Sequence, residues 1–277
     1  MRIERIAAFC DGEAGGNPAG VVIGDSLPDA ATMQRVAAEV GYSETAFAAP
    51  GEDAWRVRYF APAAEVDFCG HATIALGAAL AQRHGNGVFP LQLNQARITV
   101  EGRAAGGKLF GALQSPPTRS EPTNPELVRE ALALFAWTAE DLDAQIPPAL
   151  AHAGGNHLVL ALKSRELLAG MHYEFDAGRE LAARADVGTF TLLWVEAPQL
   201  FHARNPFPMG GIYEDPATGS AAAALAGYLR DQAWLCGGAI DILQGHDMGA
   251  PSRLRAEWTP ERGASVRVSG AARLLMN

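Results

Sequence analysis

Cysteine is scarce in this chain. Its 277 residues hold three, Cys10, Cys69 and Cys236, far apart and odd in number. None of them forms a CxxC step, so neither a disulfide framework nor a zinc ribbon is expected. Basic residues are in deficit too: 22 Lys and Arg stand against 31 Asp and Glu, a formal net charge of −9. An acidic chain without a basic run is a poor partner for nucleic acid or an anionic membrane surface. A local pocket for an anionic substrate remains compatible with it. No apolar run approaches the roughly 20 residues of a membrane span. The opening MRIERIAAFCDGEAGGNPAG lacks the apolar segment and cleavage pattern of a secretory leader. A reduced, cytoplasmic protein is expected.

What is present is a globular composition, 48% hydrophobic and 19% charged, in a chain long enough for one large domain or two ordinary ones. The chain also resembles itself. EVDFCGHATIALGAAL (65–80) lies over EDPATGSAAAALAGYL (214–229), with Gly70 on Gly219, Ala72 on Ala221, Leu76 on Leu225 and Leu80 on Leu229. Upstream, Arg58 and Pro62 match Arg204 and Pro208, each pair preceding a Glu. Gly15-Gly16-Asn17 matches Gly154-Gly155-Asn156, each followed by an apolar run. Three matches in one order imply a duplication, with the halves meeting near PPTRSEPTNPE (116–126), a Pro- and Ser-rich linker candidate. The expected domains are 1–116 and 126–265, with a C-terminal strand over about 266–277 completing the first.

Local patterns give each half strands around one apolar helix. RIERIAAF, GVVIG, TAFAA, WRVRYF, LQLNQ, ARITVEG and GKLFGALQS suit strands in the first half. HLVLAL, TFTLLWVEA, QLFHAR, IDILQG, LRAEWT and SVRVSGAARLL suit strands further on. LPDAATMQRVAAEVG reads as a helix with Asp29 at its start and Gly41 as its stop. NPELVREALALFA and SRELLAGMHYE read as helices as well. TIALGAALAQRHG, ended by Gly85, and SAAAALAGYLRDQ are apolar on every side, which suits a helix enclosed by other structure. The expected class is α+β: two pseudo-symmetric domains, each a mixed sheet or barrel wrapped around a central helix.

The two strand-to-helix corners carry the chemistry. A helix start presents unsatisfied N–H groups and partial positive charge, and glycine lets a ligand approach the backbone. GHAT at Gly70 and TGSA at Thr218 and Gly219 are therefore candidate cradles for a carboxylate and for the charge that develops when the adjacent carbon loses a proton. Proton abstraction needs a base. Glu44 in GYSETAFAA sits between a helix stop and an apolar strand, where loss of water makes a carboxylate a better base; a solvated or capping residue is the competing reading. Cys69 is either a thiolate activated by the helix end or a small buried residue. A two-thiol mechanism wants a second cysteine at the matching corner, and Thr218 stands there. His71 has no second ligand at a recognised metal spacing, so a hydrogen-bonding or acid/base role is expected and a metal is not. Asp215 is a helix cap or a partner for His71. Ser220 lacks the GxSxG setting of a hydrolase nucleophile and reads as a ligand-binding donor.

Together, GGNPAGVV, SETAF, RYFAPAAEVDFCGHAT, GIYEDPATGSA, QGHDMGAPSRL and the closing VRVSGAARLL resemble the PhzF-like family, named for phenazine biosynthesis and related in fold to diaminopimelate epimerase. The resemblance runs nearly end to end. It implies two similar halves with the active site between them, and catalysis without a metal or organic cofactor. By motif position it implies that Glu44 moves a proton, with His71 and Asp215 beside it in catalysis. Asn17, Gly70, Thr218, Gly219 and Ser220 would then bind the substrate, with Cys69 as a further candidate. One segment departs from the pattern: NPFP follows Arg204 where the first half has YFAP after Arg58. The expected activity is isomerisation of a small carboxylate by proton transfer, in preference to epimerisation. The other readings are a carboxylate-binding protein without turnover and a Ser220/His71 hydrolase. A homodimer is the expected assembly.

Overall fold

Two runs of the chain, Met1–Gln114 and Arg267–Asn277, build one unit, and Ser115–Val266 between them builds another. The computed structural model describes residues 1–234 and 238–275; Cys236 lies outside the described residues.

The first unit begins with β1 (Glu4–Cys10), β2 (Asn17–Ile23) and α1 (Ala30–Val40). It continues through β3 (Thr45–Pro50), β4 (Trp55–Phe60), β5 (Glu65–Val66), α2 (Gly70–His84), β6 (Gly87–Gln92), β7 (Arg97–Ala105) and β8 (Lys108–Gln114). β1 pairs antiparallel with β2, β2 parallel with β3, and β3 antiparallel with β4. β4 carries the short β5 antiparallel and β6 parallel; β6, β7 and β8 then follow antiparallel.

The second unit holds β9 (Arg119–Pro122), α3 (Pro125–Leu134), β10 (Ala149–His152), β11 (Asn156–Leu162), α4 (Arg165–Ala169) and α5 (Phe175–Arg184). After these come β12 (Thr189–Ala197), β13 (Leu200–Phe207), β14 (Ile212–Asp215), α6 (Gly219–Asp231), β15 (Ala239–Gln244) and β16 (Ser252–Glu257). The pairing sense of the first unit recurs. β10–β11 is antiparallel, β11–β12 parallel, β12–β13 antiparallel; β13 carries the short β14 antiparallel and β15 parallel; β15–β16 is antiparallel. The segment expected as a linker contains β9, which pairs with β10.

The last strand, β17 (Arg267–Leu274), belongs to the first unit, antiparallel to both β1 and β8. The pairings of that unit thereby close on themselves, and α2 packs against β1, β2, β7, β8 and β17 inside the ring. From Gly70 through Ala81 every residue of α2 is buried. Full burial of a Leu such as Leu76 or Leu80 contributes about 1.5–3 kcal/mol, and the small residues between them let the strands come close. The closest approach is between Gly77 of α2 and Gly102 of β7, where a Cβ on Gly102 would stand 2.0 Å from the Gly77 carbonyl oxygen. No side chain fits there. In the second unit α6 is buried at Gly219 and from Ala221 through Arg230, packed on β9, β10, β11, β15 and β16.

α1 starts and stops where its sequence indicates. Asp29 Oδ1 accepts the Thr32 N–H at 2.9 Å, and Gly41 ends the helix at φ 73°. Two elements differ from expectation. SRELLAGMHYE keeps its helix only over Arg165–Ala169, and the unforeseen α5 follows. Gly178 hides α5 in the sequence, because glycine disfavours a helix interior. A Cβ there would meet the Tyr173 ring at 2.5 Å, so the glycine serves packing. β6 includes Pro90, which argues against a strand in sequence but is accommodated opposite Thr99 of β7.

Candidate active site

Glu44 stands immediately before β3. Its carbonyl accepts the Gly20 N–H at 3.2 Å, which fixes it at the end where the parallel strands β2 and β3 begin. Asn17, 2% exposed, is the first residue of β2 at that same strand end.

Cys69 is the N-cap residue of α2, in extended conformation. Its carbonyl accepts from Thr73 twice, from the N–H at 3.0 Å and from the hydroxyl at 2.7 Å. With that hydroxyl proton committed, Thr73 Oγ1 accepts from the Tyr59 hydroxyl at 2.6 Å. Burial pushes the Tyr59 phenol up, which keeps it a donor. The turn that presents Gly70 and His71 is therefore locked from within the core. The N–H groups of Gly70, His71 and Ala72 belong to the first helical turn and find no acceptor inside the helix.

The His71 ring is 6% exposed and lies among three side chains. Its Nδ1 is 3.4 Å from Cys69 Sγ. Its Nε2 is 3.3 Å from Ser43 Oγ and 3.4 Å from Glu44 Oε2. One neutral tautomer suits all three: Nε2 carries the proton toward Ser43 and Glu44, and Nδ1 accepts from the thiol. The Glu44 contact is within ion-pair range but misses hydrogen-bond geometry, so Oε2 is a buried oxygen with no hydrogen bond. Such an oxygen can receive a proton without first breaking a bond. The ligand atoms of Glu44, Cys69 and His71 lie within 4.8 Å of one another. Spacing along the sequence cannot show this, because the fold brings Glu44 in from another element.

In the second unit, Asp215 ends β14 in register with Asn205 of β13. Its Oδ2 accepts from the Thr218 hydroxyl at 2.6 Å. Thr218 is the N-cap residue of α6, and its own side chain makes no capping bond. Gln244, at the end of β15, braces the corner. Its Nε2 donates to the Asp215 carbonyl at 2.7 Å and to Thr218 Oγ1 at 3.0 Å, and its Oε1 accepts the Thr218 N–H at 3.1 Å. Gly219 is buried at the helix start, and Ser220 follows, half-buried. Ser220 thus holds the place in α6 that His71 holds in α2.

The duplication extends to side chains. Arg58 and Glu65 make two parallel bonds, 2.7 and 2.6 Å, and so do Arg204 and Glu214, 3.0 and 2.5 Å. Glu44 stands three residues before Phe47, the register partner of Arg58. Three residues before Leu192, the partner of Arg204, stands Thr189. There the network is neutral. Thr189 donates to Asn205 Oδ1 at 3.2 Å, so it accepts from Nδ1–H of the buried His157 at 2.8 Å. Burial, aided by nearby His152, pushes the His157 imidazole down to about 3.

The structure brings Glu44, Cys69, Gly70 and His71 together in the first unit, and Asp215, Thr218, Gly219 and Ser220 in the second. Two contributors escaped sequence reasoning, Ser43 and Gln244. Ser43 lies within SETAF, directly before Glu44. Gln244 opens QGHDMGAPSRL, a motif whose corner-bracing role depends on contacts from another strand.

Known proteins bear on this arrangement. The family profile described as phenazine biosynthesis-like protein, PhzC-PhzF, matches residues 6–277. An uncharacterized isomerase of Deinococcus radiodurans is 33% identical over 283 residues, covering 98% of this chain and 92% of the relative. The trans-2,3-dihydro-3-hydroxyanthranilate isomerase of Pseudomonas fluorescens is 32% identical over 275 residues, covering 96% and 94%. The crystal structure of a PhzF family protein from Bacillus anthracis shares the fold, with TM-score 0.87 at 21% identity over 100% of this chain and 98% of that one. With the match of the whole fold and the isomerases among its relatives, the chain belongs to the phenazine biosynthesis-like family, PhzC-PhzF, and is an isomerase of that family.

Proposed function

We propose that the protein isomerises a small carboxylate by moving one proton, with Glu44 as the acid and base and with no metal or organic cofactor in turnover. The observation that carries this is Glu44 Oε2, buried, without a hydrogen bond, and 3.4 Å from His71 Nε2. Oε2 takes the proton from the carbon beside the substrate carboxylate and returns it at another position. The His71 Nε2–H stabilises the charge that develops. The first-turn N–H groups at Gly70 and Gly219 suit the carboxylate. Asn17, Asp215, Thr218 and Ser220 are its further binding and orienting groups, with Asp215 also serving proton transfer.

Isomerisation is favoured over epimerisation by what the second repeat carries. Thr218 stands where Cys69 stands in the first, and Thr189 where Glu44 does. Neither threonine is a base near neutral pH, so the corresponding positions supply one proton carrier rather than an opposed pair. A cytoplasmic homodimer completes the proposal.

The test is turnover of trans-2,3-dihydro-3-hydroxyanthranilate, the compound named for the Pseudomonas fluorescens relative, alongside other small carboxylates including amino acids. An isomerised product from the wild type, absent with Glu44→Gln, supports the reading. Saturable binding with no turnover of any compound, or turnover that survives Glu44→Gln, contradicts it.

A further inference from the structure

We propose that Glu44, Cys69 and His71 form a binding site for a thiophilic divalent cation, zinc above all. A thiol, an imidazole nitrogen and a carboxylate oxygen are the three protein donors that zinc accepts. All three lie within 4.8 Å of one another. Zinc bonds of about 2.3 Å to sulfur and about 2.0–2.2 Å to nitrogen and oxygen, at tetrahedral angles, separate N from O by about 3.4 Å and N from S by about 3.6 Å. Here His71 Nε2 is 3.4 Å from Glu44 Oε2 and 3.9 Å from Cys69 Sγ. These two distances need only a few tenths of an ångström of adjustment, and the Glu44 oxygen and Cys69 Sγ, within 4.8 Å of each other, close by a side-chain movement of up to about 1 Å to meet on one ion.

The electrostatics agree. On binding, the Cys69 S–H bond breaks, its proton passes to solvent, and a sulfur–metal bond forms. His71 must present Nε2 without a proton, so its ring proton moves to Nδ1, which thereby loses the thiol as a hydrogen-bond donor. The thiolate and the Glu44 carboxylate then balance the two charges of the cation. The Cys69 carbonyl accepts from the N–H and hydroxyl of Thr73, and the Thr73 oxygen accepts from Tyr59, so the backbone turn that carries Cys69 and His71 is pre-positioned. Glu44 Oε2 gives up no hydrogen bond to the metal. Three protein donors leave a fourth position for water or a substrate carboxylate.

Occupancy would take the Glu44 oxygen and the His71 nitrogen that proton transfer uses, so zinc is expected to inhibit. That consequence rests on the proposed function; the site itself does not.

Cobalt(II) is the probe, because a cobalt–thiolate bond gives an intense charge-transfer band. Chelator-treated protein titrated with cobalt should show this band saturating at one ion per chain and vanishing when zinc is added. Cys69→Ser should abolish it, Glu44→Gln and His71→Asn should weaken cobalt binding by at least about tenfold, and Cys10→Ser should leave it intact. No saturable band, or a band that persists in Cys69→Ser, overturns the site. Proton exchange on substrate, followed with and without zinc in parallel, separates the two ideas. A band without any exchange in the metal-free protein sinks the proton-transfer reading and leaves the site standing.

Discussion

Glu44 Oε2 lies 3.4 Å from His71 Nε2 without a hydrogen bond between them. The two residues come from different elements, one just ahead of β3 and the other in the first turn of α2. Each is held by backbone contacts, Glu44 through Gly20 and the turn at Cys69 through Thr73. The pair is therefore set by the fold rather than by mutual attraction. His71→Asn should keep the fold and lower kcat by about 10²–10³, the usual loss when one donor to a developing charge is removed. Circular dichroism and steady-state kinetics on the same sample would check both parts. A His71→Asn enzyme with wild-type kcat would remove the ring from the reaction.

The two Arg–Glu pairs allow a comparison within one molecule. Arg204 and Glu214 are 9% and 3% exposed, and Arg204 Nη1 also donates to the Ala169 carbonyl at 2.9 Å. Arg58 and Glu65 are 23% and 27% exposed. Glu214→Gln should leave a buried cation without its counter-charge and destabilise by about 3–5 kcal/mol. Glu65→Gln should cost about 1 kcal/mol or less. Urea unfolding of both variants gives the ratio.

His157 makes stability depend on pH. Its imidazole is pushed to about 3 in the folded chain, against about 6.5 when unfolded. Between these values the unfolded state binds a proton that the folded state refuses. Stability is fully present above about 6.5 and falls as pH drops toward 3, by roughly 1.4 kcal/mol per unit from this group. His157→Gln should flatten the dependence of the urea midpoint between pH 4 and 6.5. An unchanged slope would mean that His157 does not titrate with unfolding.

Gly178→Ala tests the helix that sequence reasoning missed. Alanine is the better helix former by about 1 kcal/mol. Its methyl, however, would meet the Tyr173 ring at 2.5 Å. That ring cannot yield easily, since it stacks on Tyr213 at 4.4 Å and its hydroxyl donates to the Tyr213 carbonyl at 2.7 Å. The variant should lose about 1–3 kcal/mol through overpacking. A gain in melting temperature would contradict the packing account.

Much of this architecture is legible in the chain. The apolar stripe of α1 between Asp29 and Gly41, the all-round burial of α2 and α6, and the matched Arg–Glu pairs all follow from local pattern or self-similarity. α5 and the part of β6 ahead of the expected LQLNQ strand are hidden because Gly178 and Pro90 speak against their own elements locally. Tertiary contacts decide in their favour, the Tyr173 ring in one case and the β7 ladder in the other. At the candidate site, residue types and helix-start glycines point to Cys69, Gly70 and His71. The approach of Glu44 to His71 does not show in sequence, since 27 positions separate them and the packing of α2 against β2 and β3 brings them together. Gln244 is hidden for the same reason.

The most direct test of the account is proton NMR in D2O, following loss of the substrate carbon-bound proton with wild type, Glu44→Gln and Cys69→Ser. The account predicts exchange by the wild type, a loss of about 10²–10⁴ in Glu44→Gln, and exchange in Cys69→Ser well above the Glu44→Gln rate. Exchange that survives Glu44→Gln and disappears in Cys69→Ser would contradict it and assign the proton transfer to the thiol.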